Sequence, residues 1–281
     1  MKTRRHFLGT AALAAAAAAP APAQTAGVTR YVRFRKGNLT AQGILEGETI
    51  RQISGDLFGA HKPTGATHKL AGVKLLWPCE PTKVLALAGN FKSHIGNRPP
   101  FKNPEIFYKP LTSLQNPGDP IVLPPDHKRV DYEGELVIVI GKTAKNVSLA
   151  QAKDYIFGVT CGNDVSEREW QNGKEKDVQW WRAKGADTFG PVGPAIAHGI
   201  NYAKLRLRTI VNGKVVQDES TADLLFNCEQ MVSYISKYVT LLPGDMIFTG
   251  TPQTTQPLKA GDVVEIDIEG IGVLKNPVVK G

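Results

Sequence analysis

The stretch Asp131-Tyr132-Glu133-Gly134-Glu135-Leu136-Val137-Ile138-Val139-Ile140-Gly141 decides the fold class. Five consecutive aliphatic residues bounded by Gly134 and Gly141 read as a core strand, because glycines punctuate a run that packs well on a pleated surface. Glu133 and Glu135 stand two apart at its entry, and a strand points alternate side chains to one face. A second strand is expected at about 155–160, with Asp164 just beyond it after Cys161-Gly162-Asn163. Ser166-Glu167-Arg168-Glu169 has the Ser-x-x-Glu spacing of a capping box, which predicts a short helix opening right after Asp164.

Outward from this centre the pattern stays short and strand-like. Tyr31-Val32-Arg33-Phe34-Arg35 alternates apolar and basic residues, with turns at Lys36-Gly37-Asn38 and Glu46-Gly47-Glu48. A Pro-rich junction, Trp77-Pro78-Cys79-Glu80-Pro81, marks a boundary between a small N-terminal β domain, residues 24–76, and a larger unit, residues 77–281. Val84–Ala88 reads as a buried strand, and the prolines at 99, 100 and 104 make residues 96–104 loop. Residues 171–180, rich in Lys, Asn and Gly, read as a mobile loop. Val211-Asn212-Gly213-Lys214-Val215 is the strongest hairpin signal in the chain. Cys228, Met231, Val232, Ile235 and Val239 recur at helical spacing over residues 223–239, and residues 263–279 alternate again as strands. The sum is an α+β chain with β dominant.

Composition excludes several classes. With 281 residues, 42% hydrophobic and 21% charged, the chain is globular rather than disordered. No apolar run reaches the roughly 18 residues of a membrane-spanning helix. The formal net charge is +8, and a leader carrying Lys2, Arg4 and Arg5 takes three of those charges, leaving +5 spread along the chain. That is a poor footprint for nucleic acid.

The first 23 residues read as an address. A basic start with Arg4-Arg5-His6-Phe7-Leu8 precedes an alanine run, and Ala21-Pro22-Ala23 has the small-x-small form of a cleavage site. The pair of arginines resembles a twin-arginine export signal, which predicts a periplasmic protein beginning near Gln24. An N-terminal anchor helix or a low-complexity tail is the other reading. Cys79, Cys161 and Cys228 are too few and too widely spaced for a disulfide framework or a Cys metal site. They read as buried thiols, with a single bridge as the alternative.

The chemistry centres on carboxylates. Glu133, Glu135 and Asp164, with no Cys or His beside them, suit a hard cation such as Mg²⁺, Mn²⁺ or Ca²⁺. From spacing alone an exposed strand edge explains Glu-x-Glu equally. The surroundings narrow this. Asn90-Phe91-Lys92-Ser93-His94, Phe107-Tyr108-Lys109-Pro110, Asp131 to Leu136 and Gly162-Asn163-Asp164-Val165-Ser166 occur in order. Trp181-Arg182-Ala183-Lys184-Gly185-Ala186-Asp187, Gly190-Pro191-Val192-Gly193-Pro194 and Thr249-Gly250-Thr251-Pro252 follow. This ordered string, from about Lys74 to Pro277, resembles the fumarylacetoacetate hydrolase family.

The resemblance implies an incomplete β-barrel or β-sandwich roll, usually a homodimer, with a divalent metal held by Glu133, Glu135 and Asp164. It implies substrates that are small oxo-acids, whose adjacent oxygens chelate the metal while an enolate forms. Lys184 then helps hold that negative charge and His94 is the general base. Lys109, Arg168, Gln171 and Thr251 fall on substrate-binding positions, with a structural ion pair as the other reading of Lys109 and Arg168. The 171–180 loop becomes a lid. One residue departs from the family pattern: three positions after the histidine the family usually places Glu, and here stands Asn97. An amide can orient a ring but cannot offset imidazolium charge, so isomerisation or decarboxylation through an enolate is favoured over hydrolysis. A periplasmic protein that binds oxo-acids through a metal without turning them over is the competing class.

Overall fold

The aliphatic run becomes the strand Gly134–Ile140, buried along its whole length in the structure, a computed structural model that describes residues 27–281. A run without polar alternation needs cover on both faces. Leu136, Ile138 and Ile140 join Leu207, Val264, Ile266, Met231 and Ile235 in one core. Val137 and Val139 face the other way, onto Val84, Val192 and Phe248. Glu133 and Glu135 share the parity of Val137 and Val139, so both carboxylates leave on that second side.

Gly134–Ile140 pairs antiparallel with Ile156–Asn163 on one side and Met246–Phe248 on the other. These three lie inside a 12-stranded sheet. Its main path runs His61–Lys69, Thr49–Gly55, Leu39–Glu46, Thr29–Lys36, Gly190–His198, Ile156–Asn163, Gly134–Ile140, Met246–Phe248, Val84–Ala88, Glu105–Lys109. The N-terminal strands join the rest where Thr29–Lys36 pairs antiparallel with Gly190–His198, so one sheet runs through both sequence units. A five-stranded sheet packs across the first core, in the order Lys214–Ser220, Arg206–Val211, Val263–Ile268, Gly272–Lys280, Ile121–Leu123. The result is strand-dominant, with sheets not closed into a barrel, as the resemblance implied.

Several local expectations need adjusting. The second strand continues to Asn163, three residues beyond the expected end, and so delivers Asp164 directly at its terminus. Ser166 is not a helix cap. It pairs with Asp131 in a short strand and donates its hydroxyl to the Asp164 carbonyl at 2.7 Å. The helix Arg168–Asn172 is capped by Glu167, whose Oε2 accepts from the Trp170 amide at 2.6 Å. The later helix is shorter than 223–239: it spans Cys228–Tyr238 behind a reciprocal Asn227–Gln230 capping box. Hydrophobic spacing marked its buried face, but the cap set its start. Asn212 and Gly213 both take positive φ (50° and 78°), the turn that matches strand twist in a two-residue hairpin. The three cysteines are free and buried. No described helix is long and apolar enough to cross a membrane.

Candidate active site

Pairing at the ends of the two central strands brings the acidic triad together. Glu135 lies opposite Gly162 in the ladder, the Glu133 amide donates to Asn163 Oδ1 at 2.9 Å, and the Asp164 amide donates to the Glu133 carbonyl at 2.9 Å. One ligand oxygen from each of Glu133, Glu135 and Asp164 lies within 4.8 Å of the other two, and all three residues are buried. The turn after Met246–Phe248 closes one side: the Gly250 amide donates to Glu135 Oε2 at 2.6 Å.

Cations meet two of the three carboxylates. Lys184 Nζ donates to Glu133 Oε2 and Asp164 Oδ2, both at 2.6 Å. Lys109 Nζ donates to Asp164 Oδ1 at 2.6 Å and to the Lys184 carbonyl. Arg168 Nη2 donates to Glu133 Oε1 at 2.6 Å. Burial opposes the Glu133 charge, but Lys184, Arg168 and His94 outweigh it and hold that carboxyl well below the usual carboxylate range. Burial lowers the Lys109 ammonium despite Asp164, whereas at Lys184 the two carboxylates overcome burial and raise it.

Glu135 is the exception. Its Oε1 is buried with no hydrogen-bond partner among the described residues. Burial first, then repulsion from Asp164 and Glu133, pushes its carboxyl well above the ordinary value. An orphaned oxygen in an all-oxygen donor set fits a hard divalent cation, and carboxylate oxygens already bonded to Lys184 keep a second lone pair. The residues present therefore fit the metal that the sequence led us to expect.

His94 sits half-buried on the one-turn helix Lys92–Ile95, within electrostatic reach of the Glu133 carboxyl. Its Nδ1 lies 2.6 Å from the Gln253 carbonyl. Asn97 is exposed and makes no hydrogen bond to the ring among the described residues. The helix ends at Gly96, whose φ of 60° turns the chain away, so position 97 never reaches the helical face above His94.

The substrate-binding expectations meet a crowded site. Arg168 also donates from Nε to Asp131 Oδ2 at 3.0 Å, from Nη1 to Gln171 Oε1 at 2.8 Å, and from Nη2 to Thr255 Oγ1 at 2.6 Å. Of its five N–H groups one remains, too few for a two-pronged grip on a carboxylate. The Gln171 amide nitrogen makes no hydrogen bond among the described residues. Thr251 is committed to the scaffold: its hydroxyl donates to the Gly134 carbonyl at 2.9 Å and accepts from Gln217 Nε2 at 2.9 Å. The 171–180 segment is tethered, with Arg182 paired to Asp177 at 2.9 Å and its guanidinium stacked over Trp170. A cavity of about 970 Å³ opens beside the Glu105–Lys109 edge, yet of the site residues only Lys109 lines it. The candidate site is defined by the converging charges rather than by that cavity.

Sequence reasoning missed three contributors. Asp131 lies in the alternating Asp131, Glu133, Glu135 series, which could have flagged it; it anchors both Arg129 and Arg168. Thr255 carried no such signal, and Gly250 stood in the Thr249–Pro252 motif with nothing to mark its amide as the partner of Glu135. At Gly250 (φ 96°) an added Cβ would stand 2.8 Å from Asn90 Cβ. Gly250→Ala is expected to lower the unfolding midpoint and to weaken divalent-cation uptake, because the amide holding Glu135 must move. Thermal unfolding and a Mn²⁺ titration check this; parent-like values in both would contradict it.

The family model described as fumarylacetoacetate (FAA) hydrolase C-terminal matches residues 83–279, and one described as Rv2993c-like, N-terminal, matches residues 29–78. Protein Rv2993c of Mycobacterium tuberculosis is 48% identical over 238 residues, covering 83% of this chain and 88% of that protein. The mitochondrial oxaloacetate tautomerase fahd2 of Xenopus laevis is 40% identical over 222 residues, covering 74% and 69%. A 2-hydroxyhepta-2,4-diene-1,7-dioate isomerase from Mycobacterium marinum superposes with a TM-score of 0.83 at 44% identity, over 90% of this chain and 98% of that one. A maleylpyruvate hydrolase from Sphingobium sp. SYK-6, solved with manganese(II) and pyruvate, gives 0.75 at 32% identity over 90% and 99%. These relatives correct the periplasmic localisation: the fahd2 protein is mitochondrial by name, and an Arg- and Ala-rich, acid-free stretch such as residues 1–23 does not by composition distinguish bacterial export from organelle import. The expected signal peptide, residues 1–23, lies outside the described residues. With a family model spanning most of the folded chain and relatives this similar along their length, the chain belongs to the fumarylacetoacetate hydrolase family.

Proposed function

We propose that this chain is a divalent-metal-dependent enzyme that enolises small 2-oxo or 1,3-dicarbonyl acids. The observation that carries the reading is the partnerless Glu135 oxygen inside a buried, all-oxygen triad. A hard cation such as Mg²⁺, Mn²⁺ or Ca²⁺, bound by Glu133, Glu135 and Asp164, supplies Lewis acidity toward the substrate's adjacent oxygens. The chain's own groups do the rest. His94 takes the proton from the carbon beside the carbonyl and returns it elsewhere on the substrate. Lys184 and Lys109 set positive charge against the developing anion in a site with little water to screen it. The free N–H of Arg168 and the amide of Gln171 meet the remote carboxylate. Proton movement through an enolate is the step that isomerisation, decarboxylation and C–C cleavage share, and relatives named tautomerase, isomerase and hydrolase support it.

The test is a panel of oxaloacetate, acylpyruvates and hydroxymuconate-type dienoates with Mg²⁺ or Mn²⁺. At least one should turn over only when metal is present. Binding of an oxo-acid without any turnover across the panel would instead establish the binding-protein reading.

The reading includes a homodimer. Glu105–Lys109 ends the large sheet, and its Tyr108, with Leu111 and Trp181 nearby, is exposed around the 970 Å³ cavity. An apolar sheet edge of this kind invites cover by a second copy. Sedimentation should find a dimer that Tyr108→Lys with Leu111→Glu converts to monomer. Identical sedimentation of the two proteins would contradict it.

A further inference from the structure

We infer that Gln253 is a positioning residue that fixes the tautomer and aim of His94 through its backbone carbonyl; this deepens the proposed role of His94 as base and rests on it. A carbonyl oxygen only accepts hydrogen bonds, so the 2.6 Å contact requires the hydrogen on Nδ1. In the neutral ring that leaves the basic lone pair on Nε2. Residue 253 is held for this task. Its φ of 54° lies in the left-handed region, which a non-glycine residue keeps only where its surroundings impose it.

The surroundings do impose it. Gln253 Oε1 accepts from the Asp218 amide and its Nε2 donates to the Asp218 carbonyl, both at 3.1 Å. That reciprocal pair locks the side chain to the strand Lys214–Ser220, an edge of the second sheet. On the other side the Gln253 amide donates to Ser93 Oγ at 3.0 Å, and Ser93 donates to Glu219 Oε2 at 2.6 Å. Ser93 is the neighbour of His94, so one residue is gripped by both the hairpin and the helix that carries the base. The clamp aligns the carbonyl with the ring as a protein carboxylate does elsewhere, but contributes no full negative charge to an imidazolium. A base oriented in this way suits proton transfer at carbon, where the ring need carry its charge only briefly.

The experiment is ¹⁵N NMR of the His94 imidazole in the full-length chain, joined to kcat and KM for proton exchange on pyruvate with Mn²⁺. The unsubstituted protein should show a protonated Nδ1 and an unprotonated Nε2. Gln253→Val, whose branched side chain resists positive φ and cannot clamp, should mix the tautomers and lower kcat about tenfold or more with KM little changed, since the ring's acid–base contribution is worth about 10²–10⁴-fold. Gln253→Asn tolerates the left-handed backbone and should keep the parent tautomer. If Gln253→Val does not fold, Ser93→Ala removes one side of the clamp and should loosen the tautomer in the same direction. An Nε2-protonated ring in the parent, or an unchanged ring in folded Gln253→Val and Ser93→Ala, overturns the inference. The spectrum needs no substrate, so a chain that enolises nothing still decides the matter of Gln253 separately from the proposed function.

Discussion

Glu135→Gln is expected to lose divalent-cation uptake by roughly a hundredfold or more, since even residues behind the ligands cost 10–100-fold when removed. The same variant should be more stable than the parent without metal. In the metal-free fold the Glu135 carboxylate is buried among like charges with one oxygen unpartnered. A glutamine keeps the acceptor for the Gly250 amide and offers its NH₂ to the neighbouring carboxylates. The pH dependence has a definite sign. Because the folded state raises this carboxyl, the folded chain holds a proton that the unfolded chain has released. Metal-free stability should therefore fall as pH climbs above about 4.3, the ordinary glutamate value, and the fall should be smaller in Glu135→Gln. Urea denaturation with chelator across that range measures it. A variant that binds Mn²⁺ like the parent, or is less stable without it, contradicts the account.

Lys184→Met should act in the opposite direction. Its ammonium is buried between Glu133 and Asp164 and lies 5.3 Å from the centre of the Phe107 ring. Removing one partner from a buried ion pair costs about 3–5 kcal/mol, because the remaining charges stay desolvated. Metal-free protein should lose that much stability, and saturating Mn²⁺ should restore part of it by supplying positive charge to the same carboxylates. Turnover should fall about 10²–10³-fold even in the metal-loaded variant, the usual effect of losing one group aimed at a developing anion. Paired chelator and Mn²⁺ denaturation curves, with rates on a responsive oxo-acid, check both parts. A variant as stable as the parent in chelator would refute the role given to this lysine.

The opposite signs expected at Glu135 and Lys184 also show what a sequence can disclose. Glu133 and Glu135 could be placed on one face because strands alternate, and Asp164 was visible as a residue just past a strand end. The double-sided burial of Leu136–Ile140 followed from its lack of polar alternation. That only one N–H of Arg168 stays free was not visible, since its partners Asp131, Gln171 and Thr255 span 124 positions of the chain. Neither was the partner of His94. Position 97 drew attention because of the family pattern, but Gly96 breaks the helix first and the ring turns to a backbone carbonyl 159 residues away. Backbone groups such as the Gly250 amide and the Gln253 carbonyl are offered by every residue type, so no side-chain motif announces them. Residues 1–23 misled for a related reason: arginine and alanine content is shared by addresses for different compartments.

Deuterium incorporation into the methyl group of pyruvate in heavy water tests the central claim most directly, because it reads enolisation without requiring the native substrate. Metal-loaded protein should accelerate the exchange, chelator-treated protein should not, and His94→Ala should lose about 10²–10⁴-fold of the metal-dependent rate. Exchange that persists unchanged after chelation, or that His94→Ala carries out as fast as the parent, would contradict the account.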